Sequence, residues 1–173
     1  MSADLAAVSQ QLGITDAMLA GRDLQVYPQA TQQLVLADTQ VNGSAFLLIP
    51  AAAVAWQAMK AAAADDAVAI FLISAFRSIE RQAEIIQGKL KAGMRIQDVL
   101  SVLAPPGFSE HHTGRAVDIS TPGVRLLQAD FEHTNAFAWL QSHAKQFGFY
   151  LSYPKGNSQG YQYEPWHWCF QRF

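Results

Sequence analysis

Ser109-Glu-His-His-Thr-Gly-Arg-Ala-Val-Asp-Ile-Ser120 is the stretch on which the fold turns. Gly114 allows the tight backbone a ligand loop needs. After it Ala116 to Ile119 alternates as a strand, with Ala116 and Asp118 on one face and Val117 and Ile119 on the other. A histidine in a loop, His111, thus runs within seven residues into a strand that carries a carboxylate. Near the C-terminus Glu164-Pro-Trp-His167 supplies a second imidazole, read as part of a final strand over 164–170. Two imidazoles and one carboxylate converging from loop and strands make a three-ligand zinc site with a fourth position open to water. Glu164, three residues ahead of His167 and held by Pro165, has no packing purpose of its own. It is the carboxylate that metal-assisted hydrolysis requires beside the ion.

Working outward, Leu34–Ala37 and Ala45–Ile49 flank the turn signal Asn42-Gly43 and predict a hairpin. Pro50 opens a helix to about Ala64, which Asp65-Asp66 ends. The apolar, β-branched run Val68–Ser74 predicts a buried strand. Ser78 is placed to cap a helix closed near Gly93, and a shorter helix spans Ile96–Leu103. Pro105-Pro106-Gly107 forces an irregular approach to the histidine segment. Phe137, Leu140, Ala144 and Phe147 mark one face of a helix over 135–147, ended by Gly148. A strand over 149–153, a turn over 154–160 and the final strand complete the chain. Short helical patterns at Ala3–Leu12 and Asp16–Ala20 lie in a glutamine- and alanine-rich N-terminal stretch. Strands mixed with helices through tight turns predict an α+β domain rather than a doubly wound sheet.

The 173 residues suit one domain with a sizeable core. Half the chain is apolar and the net charge is −2 with neither sign clustered, so there is no electrostatic footprint for nucleic acid. No run approaches the roughly 18 consecutive apolar residues of a membrane span, and no basic-then-apolar leader is visible at the N-terminus, which gives a cytoplasmic expectation. The single cysteine, Cys169, is read as a buried free thiol.

The remaining candidates are weighed against plainer roles. His112, next to His111, points away on an extended segment. His133 reads as a surface or capping residue and His143 as lying on the polar side of its helix. Arg77 follows the apolar strand and could grip a substrate carboxylate or stabilise an oxyanion. Gln82, further along the helix, lines the same cleft or faces solvent. Ser109 donates to substrate or fixes the loop.

Together these residues resemble the VanY-type D-alanyl-D-alanine carboxypeptidases, zinc metallopeptidases whose fold resembles the Hedgehog signalling domain. The family pattern Ser-x-His-x-x-Gly-x-Ala-x-Asp is matched by Ser109, His111, Gly114, Ala116 and Asp118. Glu-x-Trp-His is matched by Glu164, Trp166 and His167, and the arginine–serine element by Arg77, Ser78 and Gln82. The likeness runs from about residue 68 to 170. It implies an α+β fold with a small antiparallel sheet carrying the zinc and helices flanking it, with residues 46–173 as the peptidase domain and 1–45 as an extension packed on it. It implies one Zn²⁺ held by His111, Asp118 and His167, Glu164 as general base, and Arg77 with Gln82 and Ser109 at the substrate. The implied substrates are peptidoglycan stem peptides or muropeptides ending in D-alanine, cut by a D,D- or L,D-carboxypeptidase. A D,D-dipeptidase, a stem endopeptidase and a non-catalytic zinc-bearing binding module are the alternatives.

Overall fold

The computed structural model describes residues 3–40 and 43–171. Its centre is α3 (Pro50–Asp65), which opens on a proline in its first turn and presents Ala52, Trp56, Met59 and Ala63 along one stripe. That spacing of four, three and four puts all four on one helix face, and all are buried. The stripe packs on a hairpin of β1 (Val35–Thr39) and β2 (Ala45–Leu48), antiparallel with a bulge between Leu36 and Asp38. Asp38 ties the two together, receiving the Trp56 indole N–H at 3.2 Å and Lys60 Nζ at 2.6 Å. Gly43 has the positive φ of +84° expected at the hairpin turn, while Asn42 lies outside the described residues.

The second sheet has four antiparallel strands in the order β3 (Phe71–Ser74), β4 (Ala116–Ser120), β6 (His167–Phe170) and β5 (Phe149–Leu151). Val117, Ile119, Leu72 and Trp168 join α3 and α6 (Asn135–His143) in the main core. β4 is buried along its whole length, so its opposite face, with Asp118, is closed off as well. A smaller apolar cluster joins Leu12 and Ile14, after α1 (Ala3–Gln11), to Ile86 of α4 (Ile79–Lys91) and to Val99 and Leu100 of α5 (Ile96–Leu100). α2 (Asp16–Leu19) is a single turn without buried residues. No helix among the described residues is long and apolar enough to cross a membrane.

Several expected boundaries move, each for a local reason. The strand expected over Val68–Ser74 starts only at Phe71. Ala67 adopts φ +57° and the Val68 N–H bonds back to Ala63 O at 2.8 Å, so these residues close α3 first. The helix expected to run to Leu103 stops at Leu100, and that expected over 135–147 tightens into a 3₁₀ turn at Ala144–Phe147, closed by Gly148 at φ +80°. The strand over 149–153 ends at Leu151. The final strand begins at His167, because Glu164–Trp166 form a turn with the His167 N–H on Glu164 O at 3.1 Å and the Trp168 indole on Pro165 O at 3.0 Å.

Residues 22–30 form an extended segment across the site-bearing loops. Arg22 Nε donates to Gln159 O at 2.6 Å, the Asp23 N–H to Ser158 O at 3.0 Å, and the Tyr27 N–H to Gly107 O at 2.8 Å. The Ala30 N–H donates to His112 O at 2.8 Å, and the Gln29 side chain receives the Ile79 N–H at the start of α4.

Candidate active site

Asp118 and His167 are direct cross-strand partners on β4 and β6, and Ser74 at the end of β3 pairs with Asp118 on its other side. Registry alone therefore brings the carboxylate and one imidazole together, with His167 Nδ1 2.9 Å from Asp118 Oδ1. His111 arrives from a 3₁₀ turn, Glu110–Thr113, and sets Nε2 3.3 Å from Asp118 Oδ2. That turn ends on Gly114 at φ +66°, where an added Cβ would lie 2.9 Å from the Leu34 side chain and 3.2 Å from Ile49. One ligand atom from each of His111, Asp118 and His167 lies within 4.8 Å of the others, and all three residues are buried. Zinc bound at 2.0–2.2 Å holds tetrahedral ligand atoms about 3.3–3.5 Å apart, so the donor set fits zinc with small adjustments.

The outer hydrogen bonds aim both imidazoles. His111 Nδ1 is 2.7 Å from Ala75 O, which can only accept, so the proton sits on Nδ1 and the Nε2 lone pair faces Asp118. Burial pushes the His111 imidazole down to about 4, which keeps it neutral as a metal ligand must be. Burial acts the same way on His167, but two carboxylates override it and raise it to about 10. One is Asp118. The other is Glu110, whose Oε2 lies 2.9 Å from His167 Nε2. Asp118 is held well below the usual carboxylate range, its burial outweighed by the two imidazoles.

Glu164 stands at the rim of this set, its Oε2 4.0 Å from His167 Nδ1. In a strand, residues three apart face opposite sides. The turn at 164–166 is what folds Glu164 onto the same side as His167. Burial, with Asp118 and Glu110 nearby, pushes its carboxyl up to about 7, although His167 and Arg77 pull the other way. Arg77 Nη2 lies 3.8 Å from Asp118 Oδ2 and donates to Ser74 Oγ at 3.0 Å, while Nη1 donates to Gln82 Oε1 at 2.8 Å. Gln82 is fully buried rather than solvated, and its amide N–H goes to Ala104 O at 2.6 Å. The amide therefore clamps the guanidinium. Arg77, Gln82, Ser109, Glu164 and the three ligand candidates all line one cleft of about 780 Å³.

The sequence reading missed Glu110. Its signal was a carboxylate between two buried residues of a short segment, but only a turn of three residues per repeat makes Glu110 face His167. His112 lies outside the ligand set as expected, for a different reason: it is not on an extended segment. In the 3₁₀ turn its Nδ1 donates to Arg77 O at 2.7 Å and Nε2 accepts the Gly107 N–H at 3.1 Å, so both ring nitrogens are used. His133 is 79% exposed in its side chain, and His143 stacks on Trp139 at 4.7 Å. Cys169 is a buried free thiol.

Residues 46–172 match the VanY family, described as D-alanyl-D-alanine carboxypeptidase. YodJ of Bacillus subtilis (strain 168) is 37% identical over 122 residues, 67% of this chain and 43% of YodJ. The chain thus spans less than half the length of that relative. Among solved structures, the LD-carboxypeptidase LdcB superposes with a TM-score of 0.74 at 30% identity, covering 88% of this chain and 76% of LdcB. A variant of the vancomycin-resistance D,D-pentapeptidase VanY, solved in complex with Zn(II), gives 0.63 at 28% identity over 83% of this chain and 82% of that one.

Proposed function

The chain belongs to the VanY family of D-alanyl-D-alanine carboxypeptidases, and from that premise we propose that it removes a C-terminal D-alanine from peptidoglycan stem peptides. The observation that carries this reading is Glu164. Its carboxylate is half-buried in the cleft beside the His111–Asp118–His167 set and raised to about 7, the range in which one group both takes and returns a proton near neutral pH. His111, Asp118 and His167 would hold zinc, which would supply Lewis acidity toward a carbonyl oxygen and toward the attacking water. Glu164 accepts the proton of the attacking water and passes it to the leaving amine. Arg77, held by Gln82 and Ser74 beside Asp118, stabilises charge developing on the scissile carbonyl oxygen. Ser109 lines the cleft next to these groups and contacts the peptide.

The likeness to LdcB supports L,D-cleavage of a tetrapeptide stem, and the family match supports D,D-cleavage of a pentapeptide. Mass spectrometry of products from tri-, tetra- and pentapeptide muropeptides separates the two, and fragments cut inside the stem would mark an endopeptidase. Glu164→Gln is expected to keep stoichiometric zinc while turnover falls by about 10²–10⁴. A zinc-loaded wild type that releases no D-alanine and no other fragment would replace this reading with a binding module.

A further inference from the structure

The N-terminal segment at residues 22–30 lies before the family-matching range, which begins at residue 46, yet it reaches His167 by two routes. Along the ring edge, the Tyr27 hydroxyl is 3.4 Å from Glu110 Oε1, and Glu110 Oε2 is 2.9 Å from His167 Nε2. Over the ring face, the Arg22 guanidinium lies 4.6 Å from the Tyr161 ring centre, Tyr161 meets Tyr153 edge-on at 4.9 Å, and Tyr153 stacks on His167 at 4.7 Å. The Tyr27 backbone is pinned at Gly107 O, and Ala30 at His112 O, so the segment is fastened to the turn that carries Glu110 and His111 and to the loop that leads into it.

Glu110 is only 7% exposed, and a buried carboxylate needs both oxygens satisfied. His167 takes one oxygen. The Tyr27 hydroxyl covers the other, with the buried Cys169 thiol close to the same carboxylate. We propose that Tyr27 is a positioning residue for His167, acting through the Glu110 carboxylate. This rests on reading His167 as a metal ligand. With Glu110 held, the His167 Nε2–H keeps donating to Oε2 and the Nδ1 lone pair stays aimed at Asp118 and the ion. Without the Tyr27 hydroxyl, Oε1 of the carboxylate keeps only Ser152 and the Cys169 thiol beside it, and the imidazole's edge is held less firmly. The segment at 22–30 is thus a part of the metal centre contributed from outside the matching range.

The test is zinc affinity by competition with a chromophoric chelator, on wild type, Tyr27→Phe, Glu110→Ala, Glu110→Gln and His167→Ala, with urea unfolding of each in EDTA. Removing an outer-shell partner weakens metal binding about 10–100-fold, which is expected for Glu110→Ala. Glu110→Gln keeps an acceptor oxygen and is expected to recover most of that affinity. Tyr27→Phe, losing one long hydrogen bond, is expected to bind zinc about fivefold more weakly with an unchanged urea midpoint. Affinity within twofold of wild type for Tyr27→Phe overturns the proposal, as does a loss that appears only together with a lowered midpoint. Zinc binding by His167→Ala equal to wild type overturns the ligand reading instead.

Discussion

At the scale of single residues, the site is a set of charges that steady one another in the absence of metal and compete with it when it binds. His167 is raised from 6.5 to about 10 by Asp118 and Glu110, so in metal-free protein it contributes stability that is present in full below pH 6.5 and lost as pH rises toward 10. Glu164, raised from 4.5 to about 7, loses its contribution in the same direction over a lower window. His111, lowered to about 4, and Asp118, held well down, act with opposite sign but only on the acid side of 6.5. From pH 6.5 to 8.5, therefore, the urea midpoint of the protein in EDTA is expected to fall. With the ligand set proposed above, zinc displaces the His167 proton on binding, so zinc affinity is expected to rise over the same interval. A flat midpoint in EDTA would contradict the His167 assignment. The choice between His111 and His112 also belongs here, since it depends on which ring nitrogens already have partners.

At the scale of elements, a three-residue turn and a four-residue turn do what strands could not. The 3₁₀ turn Glu110–Thr113 sends His111 toward Asp118, His112 toward the Arg77 backbone and Glu110 toward His167. The turn at 164–166 brings Glu164 round to His167. Gly114 is the joint between the first turn and β4: its φ of +66° and the contacts awaiting a Cβ at Leu34 and Ile49 leave no room for alanine. Gly114→Ala is expected to cost about 1–3 kcal/mol of stability and to lower zinc occupancy by shifting His111. Urea unfolding with zinc analysis checks both, and wild-type values for the two would show that the joint tolerates a side chain. α4 is set by a similarly local device, the Ser78 hydroxyl accepting the Arg81 N–H at 3.1 Å, which caps the helix at the residue after Arg77.

At the scale of the whole molecule, core and site occupy opposite faces of one sheet. The main core of α3, α6, the hairpin and the inner face of β4 does not depend on the ligands. Removing zinc is therefore expected to leave a folded protein of lower stability. At free zinc about 1,000 times its Kd, binding adds roughly 4 kcal/mol, or about 8–16 °C in Tm for a chain of this size. Melts with zinc and with EDTA measure the shift, and unfolding on chelation would mean that the metal holds the fold. The sequence by itself determined the α+β class, the stripe on α3, the Ser78 cap and the identity of the ligand candidates, because helix period, strand alternation and cap chemistry are local and repeat within a few residues. It placed Gln82 equally well in cleft or solvent, read 164–170 as unbroken strand, and passed over Glu110 and Tyr27. Those were decided by tertiary structure alone. Cross-strand registry, the hand of two short turns and the path of an extended segment set which distant groups meet, and none of these leaves a period in the chain.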